Sequence, residues 1–384
     1  METNIVLYRK YRPQKFSEII GQDHVVKTLM NSITSGSISH AYLFTGPRGS
    51  GKTSIARIFA KAINCEDLSN FEPCNKCASC QEIMAGNSMD LIEIDGASNA
   101  RIDEVRELID GIKFAPVKSK YKIFIIDECH QLSKPASNAL LKTLEEPPAH
   151  AVFILATTEA HKMIPTIVSR CQRFDFKRLL VAEIIKKLEF ILKKEGIKFE
   201  NAALSLIALN ARGSFRDAES LLDKCINFAG TAKKITVQEI KELLGIVEVS
   251  QISKFVDFIM AGRENSSQSE NSRPRQNAKE AVLYINAMVD AGVDLQEFVK
   301  TLTFYLRQIL LLKIQVNQAM IENAGFLPEE VATMKAQIGE LTEKDIQRLL
   351  ELFIDAENKM KYSTILQLPL ELAIVSYLYD RSVN

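Results

Sequence analysis

Net charge is the first thing this sequence lacks, since 48 Lys and Arg are matched by 48 Asp and Glu over 384 residues. Steering of a polyanion by overall charge is thereby excluded, and any nucleic-acid contact has to come from a local basic surface. Glycine and proline are scarce, at 16 and 11 positions, which excludes a collagen-like chain and bulk disorder. Seven cysteines are too few for a disulfide scaffold. The opening stretch Met1 to Arg12 lacks the basic-then-apolar succession of a secretory signal, so the expected compartment is the cytoplasm, with thiols reduced or metal-bound. No apolar run approaches the roughly 20 residues that cross a bilayer, and no membrane partner is expected. No internal repeat is visible.

What remains is an ordinary globular composition, 46% hydrophobic and 25% charged, in a chain long enough for two or three domains. Up to about residue 180, β-rich runs alternate with helical patterns. Ala41 to Thr45, Asp90 to Asp95, Lys122 to Asp127, Ala151 to Thr157 and Gln172 to Phe176 read as strands, and such alternation predicts a parallel α/β sheet. Ile123-Phe124-Ile125-Ile126 and Val152-Phe153-Ile154-Leu155 are continuously apolar, as strands are when helices cover both faces. From Val181 onward the strand signal disappears. Ala182 to Lys194, Ala202 to Ala211 and Phe215 to Phe228 predict a small helical domain. A further helical region follows Gly245: Gln251 to Met260, Lys279 to Ala291, Leu295 to Val316, Thr342 to Lys361 and Pro369 to Tyr379. Residues 262–277 between its first two helices have a loop composition and are expected to form an insertion.

Gly46-Pro47-Arg48-Gly49-Ser50-Gly51-Lys52-Thr53 fits the phosphate-binding pattern G-x-x-x-x-G-K-[ST]. It follows the first strand and opens the helical pattern Ser54 to Ile63, the context a P-loop requires. A glycine-rich strand-to-helix turn is the bland alternative. In a P-loop, backbone N–H groups turn inward around phosphate oxygens, Lys52 neutralises the outer phosphates and the Thr53 hydroxyl ligates Mg²⁺. The apolar strand Ile123 to Ile126 ends in Asp127 and Glu128. Asp127 is expected to support Mg²⁺ and Glu128 to polarise the water attacking the γ-phosphate. ATP and Mg²⁺ are the expected ligands.

Cys65, Cys74, Cys77 and Cys80 form C-x₈-C-x₂-C-x₂-C. Four thiolates in one short loop suit a structural, tetrahedral Zn²⁺; an iron–sulfur cluster and unliganded thiols are the other readings of this spacing. Cys129, Cys171 and Cys225 are scattered and are assigned no role.

Together, Gly46 to Thr53, the Cys65 to Cys80 insertion, Asp127-Glu128-Cys129-His130, the run Asn138 to Pro148 and Ser169-Arg170-Cys171 resemble the bacterial DNA polymerase III gamma/tau family. Tyr11-Arg12-Pro13-Gln14-Lys15-Phe16 and Gly21-Gln22-Asp23-His24 are similar to that family's adenine-side segment. The likeness covers about residues 5 to 230 and continues beyond mainly as helical layout. It implies an AAA+ ATPase core over residues 1–180 with a zinc module at 65–80, a helical lid over 181–245 and an oligomerisation collar over 246–384. It further implies a clamp loader assembled as a pentamer from further copies of this chain with delta and delta-prime subunits, which loads a sliding clamp on primer-template DNA independently of base sequence. Arg170 is then an arginine finger acting on a neighbour's ATP, Thr158 (or Thr157) senses the γ-phosphate, and Arg216 in Gly213-Ser214-Phe215-Arg216 reaches the nucleotide in cis. DNA contact falls to Arg101, Arg106 and Lys142, although Asn99 stands where a basic residue is common and residues 1–180 carry little basic excess. The family's longer tau form has a C-terminal extension that binds helicase and polymerase, so such tethering is not expected of a chain ending at Asn384. Two rival readings are a DExH helicase, suggested by Asp127 to His130, and a zinc-stabilised scaffold with a weak ATP site. The first needs a second strand-rich motor domain, and the intact Lys52, Thr53, Asp127 and Glu128 argue against the second.

Overall fold

A computed structural model describes residues 5–68, 70–98, 111–230, 234–244, 248–260, 273–314, 328–339 and 341–379. The chain divides into two compact units, Met1–Glu239 and Ile240–Asn384.

The first unit is built on five parallel strands, β1 (Ala41–Thr45), β2 (Leu91–Asp95), β3 (Lys122–Asp127), β4 (Ala151–Thr157) and β5 (Gln172–Asp175), in the order β2-β3-β4-β1-β5. Burial of both sheet faces follows from the uninterrupted apolar strands. In β3, Ile123 and Ile125 pack with Phe59 and Val25 on one side, while Phe124 and Ile126 pack with Leu140 and Ile167 on the other. The sheet therefore carries helices on each face, and its strand ends form one edge where loops gather. Asp95 pairs with Asp127 in register, and Thr45 with Thr157, so the ends of β1 to β4 converge there.

Observed bounds differ from the expected ones mostly by one or two residues. Strand β2 starts at Leu91 because the Asp90 carboxylate caps a turn instead, accepting hydrogen bonds from Val117, Lys118 and Ser119 N–H at 2.7, 2.9 and 2.8 Å. Helices Val181–Glu195, Asn201–Asn210 and Phe215–Ala229 complete the unit. Strand pairing does recur after Val181. Lys198–Phe199 (β6) and Lys234–Ile235 (β7) pair in parallel, each too short to display alternation.

Among its described residues, the second unit is helical. Val249–Met260, Leu295–Lys313, Glu343–Met360 and Leu368–Tyr379 surround Phe255, Phe298 and Phe353, all fully buried. Two corrections arise. Helix Arg273–Asp290 starts inside the expected 262–277 loop. Its polar opening hid a stripe of Ala278, Ala281, Ile285 and Met288 that packs into the core, and Pro274 sits in the first turn, where its missing N–H breaks no helical bond. Residues 262–272 of that expected loop lie outside the described residues. Helix Pro328–Ile338 was unanticipated, because its inner face includes Gln337. That buried amide is fully engaged, donating to Ser253 O, Ser253 Oγ and Asp257 Oδ1 while accepting from Tyr305 OH.

Candidate nucleotide site and cysteine cluster

The loop after β1 turns through Gly46, Gly49 and Gly51, all at positive φ. At Gly49 the need for glycine is doubled, since a Cβ there would collide with the Ser214 side chain. The helix Lys52–Ile63 then opens with its N-terminal N–H groups and dipole facing the cavity. Lys52 is 5% exposed and its ammonium donates to Gly46 O at 2.8 Å and Pro47 O at 2.9 Å. Burial lowers its pKa, a tendency opposed by the nearby carboxylates of Glu128 and Asp127.

Strand β3 delivers the acid pair to the same place. Asp127 Oδ2 accepts a 2.7 Å hydrogen bond from Thr53 Oγ1. Glu128 adopts a left-handed backbone at φ 45°, and Gly96, the residue after β2, makes room for it, since a Cβ on Gly96 would stand 2.8 Å from Glu128 O. Glu128 Oε2 accepts from Thr158 N–H at 3.2 Å and Thr158 Oγ1 at 2.9 Å. Its neighbour Thr157 is fully buried and turns instead to His130 Nδ1 at 2.9 Å. Of the two threonines, Thr158 is therefore the one beside the acid. His130 Nδ1 also lies 3.4 Å from Glu128 Oε2.

These groups border one cavity of about 760 Å³, a size that suits a small ligand. Arg48, Gly49, Ser50, Gly51, Lys52 and Thr53 supply one wall, and Asp127, Glu128 and Thr158 another. Arg12 and Pro13, expected on the adenine side from the likeness of Tyr11 to Phe16, also line it, together with residues not foreseen there, among them Tyr8, Ile19 and Ile20 from the N-terminal segment and Glu219 from the helix Phe215–Ala229. Arg216 does reach the cavity, its guanidinium 5.2 Å from the Tyr8 ring centroid. Glu219 is 5% exposed, and burial raises its pKa to about 7 against the opposing pull of Lys187 and Arg12. The only sequence signal for Glu219 was its place one helical turn after Arg216. Thr53 and Asp127 offer the hard oxygen donors that Mg²⁺ prefers.

Two ties bind this cavity to the rest of the unit. Phe215 N–H donates to Gly49 O at 3.1 Å, joining the helix Phe215–Ala229 to the P-loop. Gln22, fully buried, donates to Lys177 O at 2.8 Å and accepts from Lys177 N–H at 3.1 Å.

Arg170 stands apart. It does not border the cavity, and its guanidinium donates to Glu145 Oε1 at 2.7 Å and Thr166 O at 2.9 Å. Lys142 is exposed in the last turn of the helix Lys134–Glu145. Arg101, Arg106 and Asn99 lie outside the described residues.

The Sγ atoms of Cys65, Cys74, Cys77 and Cys80 all lie within 4.8 Å of one another. A tetrahedron of Zn–S bonds near 2.3 Å sets sulfurs about 3.8 Å apart, so the four thiols fit such an ion. Cys74 Sγ accepts from Lys76 and Cys77 N–H at 3.4 and 3.2 Å, and these bonds lower the Cys74 pKa to about 7, favouring the thiolate a metal needs. Cys129 and Cys225 are buried, and burial raises the pKa of both, as it does for Cys171.

Among the described residues, no helix is long and apolar enough to cross a membrane.

Comparison with known proteins agrees with this geometry. Residues 21–180 match the family model described as DNA polymerase III, delta subunit, and residues 183–231 match that of the DNA polymerase III clamp loader subunit, ATPase lid domain. The chain is similar to DNA polymerase III subunit tau of Bacillus subtilis, 41% identical over 369 residues, covering 96% of this chain and 62% of that protein. It is also similar to DNA polymerase III subunit gamma of Buchnera aphidicola (subspecies Schizaphis graminum), 40% identical over 321 residues, which cover 83% of this chain and 84% of that one. A solved structure of the Thermotoga maritima RuvB Holliday junction branch migration motor aligns over 74% of this chain and 86% of its own, at 18% identity and a TM-score of 0.46. A P-loop and acid pair at one edge of a parallel sheet, a matched lid segment and identity at this level along most of a gamma relative lead to one statement: the chain belongs to the DNA polymerase III gamma/tau family of clamp-loader subunits.

Proposed function

We propose that the chain is the ATP-driven motor subunit of a bacterial sliding-clamp loader in the DNA polymerase III holoenzyme, working in the cytoplasm. The observation that carries this reading is the joint placement of Lys52, Thr53 with Asp127, and Glu128 with Thr158 around one cavity. Phosphates enter the P-loop, and Lys52 exchanges its two backbone carbonyls for β- and γ-oxygens. Thr53 and Asp127 would hold Mg²⁺, which would offset phosphate charge, and Glu128, held by Thr158, orients the attacking water. Arg216 swings from Tyr8 to the nucleotide in cis.

Arg170 acts in trans. Its absence from the chain's own cavity supports a role at a neighbour's, where a second cation offsets charge on the transferring phosphoryl group. In this reading residues 1–180 are the motor core, 181–245 the lid and 246–384 the collar joining further copies, delta and delta-prime. Lys142, with Arg101 and Arg106, touches DNA phosphates without reading bases. ATP binding closes the assembly on clamp and primer-template DNA, and hydrolysis releases the loaded clamp.

The deciding experiment is ATP turnover by the purified chain with delta and delta-prime, with and without clamp and primed DNA. Slow turnover alone and marked stimulation by the full set is expected; equal rates in every mixture would falsify the loader assignment. No observation favours the helicase reading, since the described residues after Val181 contain only two two-residue strands.

A further inference from the structure

The segment that carries the four cysteines, a loop running into the helix Ala78–Ala85, also holds the N-terminal wall of the nucleotide cavity. Glu72, half-buried between Cys65 and Cys74, accepts from Phe16 N–H with Oε2 and from Ser17 N–H with Oε1, both at 2.7 Å. These N–H groups open the single turn Phe16–Glu18, whose preceding residue Lys15 offers no side-chain cap, so a carboxylate 55 residues away in sequence satisfies them. A second clasp lies two residues earlier. Lys61, 2% exposed on the P-loop helix, donates to Gln14 O at 2.9 Å and to Asn75 Oδ1 at 2.7 Å, and Asn75 sits between Cys74 and Cys77.

Gln14, Phe16 and Ser17 do not line the cavity, but their neighbours Arg12, Pro13, Glu18, Ile19 and Ile20 do. The clasped positions lie between two lining stretches, Arg12-Pro13 and Glu18 to Ile20. P-loop N–H groups suit phosphates, which leaves apolar Pro13, Ile19 and Ile20 as the surface for a base.

Resting on the nucleotide reading above, we propose that Glu72 is a positioning residue for nucleotide binding. Closed around its metal, the cysteine loop fixes the base-side wall of the cavity through Glu72, so the metal governs affinity for the nucleoside part of the ligand and not for its phosphates.

The test uses the full chain, with ATP and inorganic tripolyphosphate as probes in titration calorimetry, and zinc content measured alongside. For Glu72→Gln we expect unchanged zinc, an ATP Kd raised about tenfold and an unaltered tripolyphosphate Kd. Stripping the metal from the parent protein should weaken ATP by a similar factor and should add little in the variant, as expected of two perturbations acting through one contact. Equal ATP affinity in parent and variant overturns the proposal. So does a parallel loss for both probes, which marks general damage, or loss of zinc from the variant, which marks Glu72 as a support of the metal loop alone. Asn75→Ala, which loosens the second clasp, repeats the comparison should Glu72→Gln not fold. A parent protein that bound neither probe would overturn the nucleotide reading itself, and with it the role given to Glu72.

Discussion

Individual side chains at the cavity divide by the kind of work their surroundings permit. Lys52 is held by two carbonyls of its own loop, so a ligand has to return at least two strong acceptors to it. Lys52→Ala should therefore abolish measurable ATP binding in calorimetry. Glu128 accepts two hydrogen bonds from Thr158. We expect Glu128→Gln to bind ATP normally while stimulated hydrolysis falls on the order of 10²- to 10⁴-fold, the range of general base catalysis. Glu219 carries a pH dependence. Its pKa is near 7 when folded and near 4.5 when exposed, so below the lower value it is protonated in both states and costs nothing. As pH rises between the two values the unfolded chain gives up this proton first, and stability falls until the folded group ionises as well. Glu219→Gln should thus leave the unfolding temperature almost unchanged at about pH 4 and raise stability at about pH 8 by up to about 3 kcal/mol.

The elements show what could be read in advance and what could not. The P-loop and the acid pair were legible because they are short, contiguous and bound to a strand-to-helix or strand-end context. The cysteine quartet was legible from spacing alone, and elemental analysis should find about one zinc per chain, released by strong chelators with loss of secondary structure confined to that loop. Lining by Arg12 was legible through the resemblance of Tyr11 to Phe16, whereas that by Tyr8 and Glu219 was not, because those residues come from separate segments that only the fold brings to the cavity. Helix Pro328–Ile338 escaped for a related reason: Gln337 counts as polar by composition, yet its partners Ser253, Asp257 and Tyr305 allow it to be buried. Phe255, packed against Phe298 at 5.2 Å and Phe353 at 6.2 Å between ring centroids, anchors the second unit. Phe255→Ala should destabilise that unit by about 3–5 kcal/mol in calorimetry while the first unit still binds ATP.

For the molecule as a whole, the chemistry proposed here is unfinished within one chain. Arg170 is bound to Glu145 and lies off its own cavity. Arg170→Ala should retain ATP affinity and lose stimulated turnover by about 10³-fold or more. Mixing Lys52→Ala with Arg170→Ala chains in one assembly should show each defect felt at a shared boundary, and the absence of such coupling would remove the trans assignment. The chain spans 62% of the length of the Bacillus subtilis tau relative.

One hydrogen bond ties these scales together. Because Phe215 N–H rests on Gly49 O, the helix that bears Arg216 cannot swing outward without either tugging the glycine loop out of shape or letting go of it. Under the function proposed above, departure of spent nucleotide and displacement of that helix would be mechanically geared, and whatever pushes on the lid from outside would decide when the pocket empties.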